Sequence, residues 1–159
     1  MALDNFSQAF LRFGMYQQAS EFLYPTLNHA SPLVTWCEER GAEKNSKTKT
    51  GNFQHLWTPL AVVSYIVSAF VFEDDNILHI AAGLPENWYN QKVIANVKGI
   101  YTGSGKTDLK LEKLKDKYRF TFKAERIPNR LVVHYMGKDG ERKEIELNEL
   151  SENIVTEFC

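Results

Sequence analysis

Two adjacent carboxylates, Glu38 and Glu39, follow Trp36 in the stretch LVTWCEER. A carboxylate on a loop can take a proton from water as a general base, and a neighbouring indole ring offers a flat platform for a sugar ring. His55 and Trp57 lie in FQHLW, between this loop and the most apolar segment of the chain, where a lone histidine is more often structural than catalytic. On residue type alone this is a weak signal for catalysis at Glu38 or Glu39. The plainer reading is a solvated loop with an anchoring tryptophan.

Other chemistry is poorly supported. TGSGKT at 102–107 ends in Gly-Lys-Thr, but a phosphate-binding loop needs a glycine five residues before Gly105, where this chain has Ile100. It also needs a following helix, and TDLKLE alternates like a strand, so a turn between strands is expected. His29, His55, His79 and His134 fall in different elements with no i, i+4 pair and no cysteine neighbour, so no zinc spacing exists. His79 and His134 read as sheet residues. The acidic run Glu73, Asp74, Asp75, Asn76 passes straight into ILHIAA, which leaves no room for a calcium loop. No metal and no cofactor are expected.

Composition excludes further classes. With 43% apolar residues, the 159-residue chain suits one ordinary domain or two small ones. Nineteen basic against 20 acidic residues leave a net charge of −1, which gives no electrostatic reason to expect nucleic acid or an anionic membrane as partner. The longest apolar run, 59–72, is short for a membrane span and holds Ser64 and Ser68. Cys37 and Cys159 are expected as free thiols. No signal peptide is visible at the start, which favours a cytoplasmic location without settling it.

The elements that must position these residues change character along the chain. Phe6, Phe10, Phe13, Tyr16 and Leu23 recur at helical spacing, predicting one amphipathic helix from Leu3 to Tyr24, stopped by Pro25. Residues 25–52 read as a long loop. A second helix is expected from Thr58, with Pro59 in its first turn, to Glu73, and it is apolar nearly all round. From Ile77 the period becomes two. Strands are expected near 77–81, 92–98, 107–112, 118–124, 130–135, 142–148 and 154–158, with turns at KLKDK and at GKDG. The predicted fold class is α+β: an N-terminal antiparallel helical hairpin, 1–76, packed on a C-terminal antiparallel β-sandwich of about seven strands, 77–159.

The order of a helix, a Trp-Glu loop, TGNFQHLWTPLAVVSYIVSAF, LHIAAGLPENW and a β-rich tail resembles the C-terminal end of six-hairpin (α/α)6-barrel glycoside hydrolases, the architecture of glucoamylases and α-L-rhamnosidases. The resemblance implies that Glu38 or Glu39 is the general base with Trp36, His55 and Trp57 lining the sugar site, that LWTPLA starts the last barrel helix, and that LHIAAGLPENW leads into the β-sandwich. Carbohydrate is then the partner. A twelve-helix barrel also implies five further hairpins and a general acid from outside these residues, so the chain by itself is expected to be inactive and to self-associate or to bind a missing barrel chain. The alternative is a stand-alone carbohydrate-binding or structural module. Because TGSGKT fails as a phosphate loop, ATP should leave the thermal midpoint unchanged; a concentration-dependent rise in a melting scan would overturn that reading.

Overall fold

The structure, a computed structural model, describes residues 3–28, 30, 39, 40, 49, 50 and 56–159. The chain divides into two compact units, Met1–Ser68 and Ala69–Cys159.

The first unit opens with α1 (Leu3–Arg12), α2 (Tyr16–Glu21) and α3 (Leu23–Asn28), where one continuous helix is expected from the periodicity. Gly14 causes the first break. It takes φ +70°, a left-handed conformation open to glycine, and its N–H bonds to the Leu11 carbonyl at 3.1 Å while Met15 N–H reaches the Phe10 carbonyl at 2.8 Å. That paired pattern is a Schellman stop, which satisfies carbonyls at the end of α1. Phe10 and Phe22 then stack at 5.5 Å between ring centres, holding α1 near the end of α2. Pro25 does not end the helical region as expected; it sits in the first turn of α3, where no intrahelical N–H bond is required.

The expected loop over 25–52 carries, besides the end of α3, a short antiparallel ladder. In it β1 (Glu39–Arg40) pairs with β2 (Lys49–Thr50) through Glu39↔Thr50 and Arg40↔Lys49. The helix α4 follows (Trp57–Phe70), and Gln8 Nε2 donates to Ser64 Oγ at 2.5 Å, joining α1 to it. α4 ends at Phe70, three residues before the expected Glu73. Among the described residues no helix is long and apolar enough to cross a membrane.

Val71–Asp74 is instead a strand, β3, paired antiparallel with β4 (Ile77–Ile80). Asp75 and Asn76 both take positive φ, 47° and 62°, the geometry of a tight primed turn that asparagine and aspartate tolerate. This pairing explains why the division of the chain falls before Ala69 and not at the expected 76.

The second unit is sandwich-like, with two four-stranded sheets. One has the order β10 (Asn153–Phe158), β7 (Tyr118–Ala124), β6 (Gly105–Lys113), β5 (Val93–Thr102), all antiparallel. The other runs β3, β4, β8 (Arg130–Met136), β9 (Arg142–Glu146). Here one expectation fails: β4 and β8 pair in parallel, from Ile77↔Arg130 to Ile80↔Val133. β8 is buried on both faces over Leu131–Tyr135, and LVVHY accordingly reads as an almost unbroken apolar run instead of an alternation.

In β7 the alternation holds: Tyr118, Phe120, Phe122 and Ala124 are buried while Arg119 and Lys123 face water. Tyr118 of one sheet meets Tyr135 of the other at 5.3 Å, and Tyr135 meets Phe158 edge-on at 5.0 Å, so aromatic rings fill the space between the sheets.

The passage from β4 to β5 is held at one point. Ala81 sits at φ +65°, unfavourable for a residue with a Cβ, and its carbonyl accepts from the buried Tyr89 hydroxyl. Pro85 starts a 3-10 helix, Glu86–Asn90, that carries Tyr89. The Arg142 guanidinium donates to the Ala82 carbonyl at 2.8 Å, to Tyr89 Oη at 2.9 Å and to the Leu84 carbonyl at 2.9 Å. Its charged carbon also lies 5.3 Å from the Tyr89 ring centre.

Replacing Arg142 with methionine keeps much of the stem but leaves two carbonyls and the Tyr89 hydroxyl without that donor. The expected loss is about 2–4 kcal/mol of unfolding free energy, read as a lower urea midpoint at unchanged slope. A loss under about 0.5 kcal/mol would show that the crossover does not depend on this residue.

Candidate functional site

The residues singled out in the sequence are located only in part. Trp36, Glu38 and His55 lie outside the described residues. Glu39 is placed through its backbone, on β1 opposite Thr50, and Trp57 is the first residue of α4. Glu39 therefore belongs to a hydrogen-bonded ladder and not to an irregular loop.

The second unit brings together groups that the sequence separates. His79 on β4 and His134 on β8 meet with Nδ1 of the first 3.1 Å from Nε2 of the second, one ring donating and the other accepting. Phe72 of β3 stacks on His79 at 4.6 Å, with the planes 6° apart. On the far side, Nδ1 of His134 lies 3.7 Å from a Glu144 carboxylate oxygen on β9. A line Phe72, His79, His134, Glu144 thus crosses all four strands of the sheet. Strand pairing sets it: Phe72↔His79 and His134↔Glu144 are register partners.

Burial governs the protonation of this pair. His134 is 1% exposed, and desolvation, followed by the fields of His79 and Arg142, pushes its pKa down to about 3. His79 is shifted down as well, chiefly by burial, although Glu144 and Asp74 pull the other way. At neutral pH both rings are uncharged, a state suited to a mutual hydrogen bond. Reading histidines singly misses this pair. The missing signal is the parallel pairing of β4 with β8, which nothing local announces.

TGSGKT is the β5–β6 hairpin, with Thr102↔Gly105 closing it and Gly105 at φ +85°. The Gly103 N–H donates to Glu73 Oε2 at 2.7 Å, and Arg126 Nη2 donates to the Gly103 carbonyl at 2.9 Å. A Cβ at Gly103 would lie 2.3 Å from the Glu73 carboxylate, the movable end of a flexible side chain, so a larger residue here would have to displace that carboxylate from its bond to the Gly103 N–H.

At one end of the sandwich an open cleft of about 590 Å³ lies between the 3-10 helix, the β6–β7 turn, the β8–β9 turn and Cys159, whose thiol is free. Among the described residues no group of three or more His, Cys, Asp or Glu side chains gathers to hold a metal ion.

Because the folded pKa of His134 lies below its ordinary 6.5, its contribution to stability is complete above that value. It diminishes as pH falls from there toward 3, since the unfolded chain takes up a proton that the folded one refuses. The slope should approach about 1.4 kcal/mol per pH unit below the unfolded pKa. Denaturant titrations between about pH 6.5 and 5, above the main carboxylate range, should show at least this slope, to which the lowered pKa of His79 also contributes, and His134→Gln should reduce it. An unchanged slope in the variant would remove His134 as its source.

Comparison with protein-family models, with curated proteins and with solved structures finds no match for this chain.

Proposed function

We propose that this chain supplies the closing helical hairpin and the C-terminal β-sandwich of a six-hairpin glycoside hydrolase, working in a barrel completed by further helical hairpins. The observation that carries the reading is the outer face of α4. Leu60, Val63 and Val67 recur at i, i+3 and i+7 and remain 69%, 58% and 43% exposed, with Leu56 just before them at 78%. A helix whose apolar residues face outward along one side has a surface made for neighbours, as a barrel helix does. Phe13 at 80% and Phe6 at 53% give α1 the same character.

In this reading Glu38 or Glu39, the latter the first residue of β1, activates the attacking water, and Trp36, His55 and Trp57 line the sugar site. The general acid comes from another hairpin. Two neighbouring carboxylates cannot flank a glycosidic bond from opposite sides at the roughly 6.5–9.5 Å separation that inversion requires. A second reading, a non-catalytic carbohydrate-binding module, is favoured by one observation: the cleft in the second unit is formed entirely by residues of that unit.

In the assembled barrel, Glu38→Gln or Glu39→Gln should lower kcat by about 10²–10⁴, and the 159 residues alone should release no product from an aryl glycoside. Turnover by the isolated chain, or undiminished turnover by the double variant in the barrel, would rule the catalytic reading out.

A further inference from the structure

The cleft of about 590 Å³ has a charge unlike that of the chain as a whole. Its walls carry Lys113, Lys115, Lys117 and Lys138 against Glu86 and Asp116, an excess of two positive side chains. The chain overall has a net charge of −1. Lys117 is engaged by Glu157, but that carboxylate also takes Arg119 Nη2 at 2.7 Å, so one negative charge is shared between two cations. Lys115 and Lys138 are exposed and have no ion-pair partner among the described residues. Lys113 is held back toward the Tyr89 carbonyl, with Nζ 3.4 Å from it.

The rest of the lining suits a ring bearing hydroxyls. Asn87 and Asn90 of the 3-10 helix provide amides that both donate and accept, and Tyr118 and Met136 also line the cleft. The rims are built into the sheets. Leu114 N–H bonds to the Lys117 carbonyl at 2.8 Å, setting Lys115 and Asp116 at the tip of the β6–β7 hairpin. Gly137 N–H bonds to the Glu141 carbonyl at 2.8 Å, and Gly140 at φ +80° closes the β8–β9 turn that carries Lys138. Two short turns on paired strands thus present lysines toward one space, with little backbone ordering left for a ligand to impose.

We infer that this cleft binds an acidic oligosaccharide, with uronic-acid carboxylates on Lys115 and Lys138 and sugar hydroxyls on Asn87 and Asn90. The sugar class rests on the carbohydrate reading above; the requirement for negative charge rests on the lysines. Carboxylates bridged to two ammonium groups gain charge-assisted hydrogen bonds that a neutral sugar cannot form, and the interaction weakens with salt.

Titration calorimetry of the 159-residue chain at low ionic strength, with trigalacturonate, maltotriose and inorganic phosphate as separate titrants, tests this. Trigalacturonate should bind, with maltotriose and phosphate each at least about tenfold weaker, and Lys115→Ala with Lys138→Ala should weaken trigalacturonate by about tenfold or more. Both positions are exposed, so the double variant should keep the parent melting temperature, which is measured alongside. Equal binding of maltotriose would overturn the charge requirement, and phosphate binding as tightly as trigalacturonate would reduce the cleft to a bare anion site. Absence of binding by all three would overturn the cleft as a site, while the catalytic reading, tested separately at Glu38 and Glu39, would be untouched.

Discussion

The guanidinium of Arg142 is the point on which the second unit depends. A chain leaving β4 must cross to the other sheet before starting β5, and the residues that cross, Ala81 to Gln91, have carbonyls with no ladder of their own. Arg142 meets two of those carbonyls and the Tyr89 hydroxyl, and Tyr89 in turn meets a third carbonyl at Ala81. Unpaired, each buried group would cost on the order of 1–3 kcal/mol. One planar side chain with several fixed donors matches this cluster, a geometry that lysine cannot reproduce. The left-handed backbone at Ala81 persists because the surrounding bonds over-determine it.

With the crossover held, the two sheets can face one another and the remaining features follow from register. Tyr118, Tyr135 and Phe158 close the space at one end. Near that end the 3-10 helix and two hairpin turns form the lysine-lined cleft. Elsewhere the β5–β6 hairpin is tied by Gly103 to Glu73 and by Arg126, so this loop too is fixed by side chains from another strand or turn. Loops on a rigid sandwich are where binding groups gather, because the sheets carry the stability and leave the turns to vary.

The histidine pair shows the same dependence from inside the sheet. His134 is buried and neutral, and its Nε2 meets His79 because the parallel pairing of β4 and β8 places that ring beside it. Had β8 joined the sheet one residue out of register, His134 would face the side now taken by Leu131 and Val133.

Sequence by itself determined whatever depends on a residue and its near neighbours. The alternation of Tyr118, Phe120 and Phe122 marks β7 because one face is wet and the other dry. GKDG and KLKDK mark turns because glycine and polar residues suit them, and the apolar run around Pro59 marks α4. The helix break at Gly14 was concealed, because the phenylalanine spacing runs through it. Tertiary structure decided the rest. Val71 and Phe72 could continue a helix as readily as begin a strand, and hydrogen bonding to His79 and Ile80 chose the strand. The parallel partner of β4, the meeting of His79 with His134 and the grouping of lysines around one cleft join residues far apart in the chain. Each is set by sheet register and shared burial, and neither quantity is carried by a local pattern of residues.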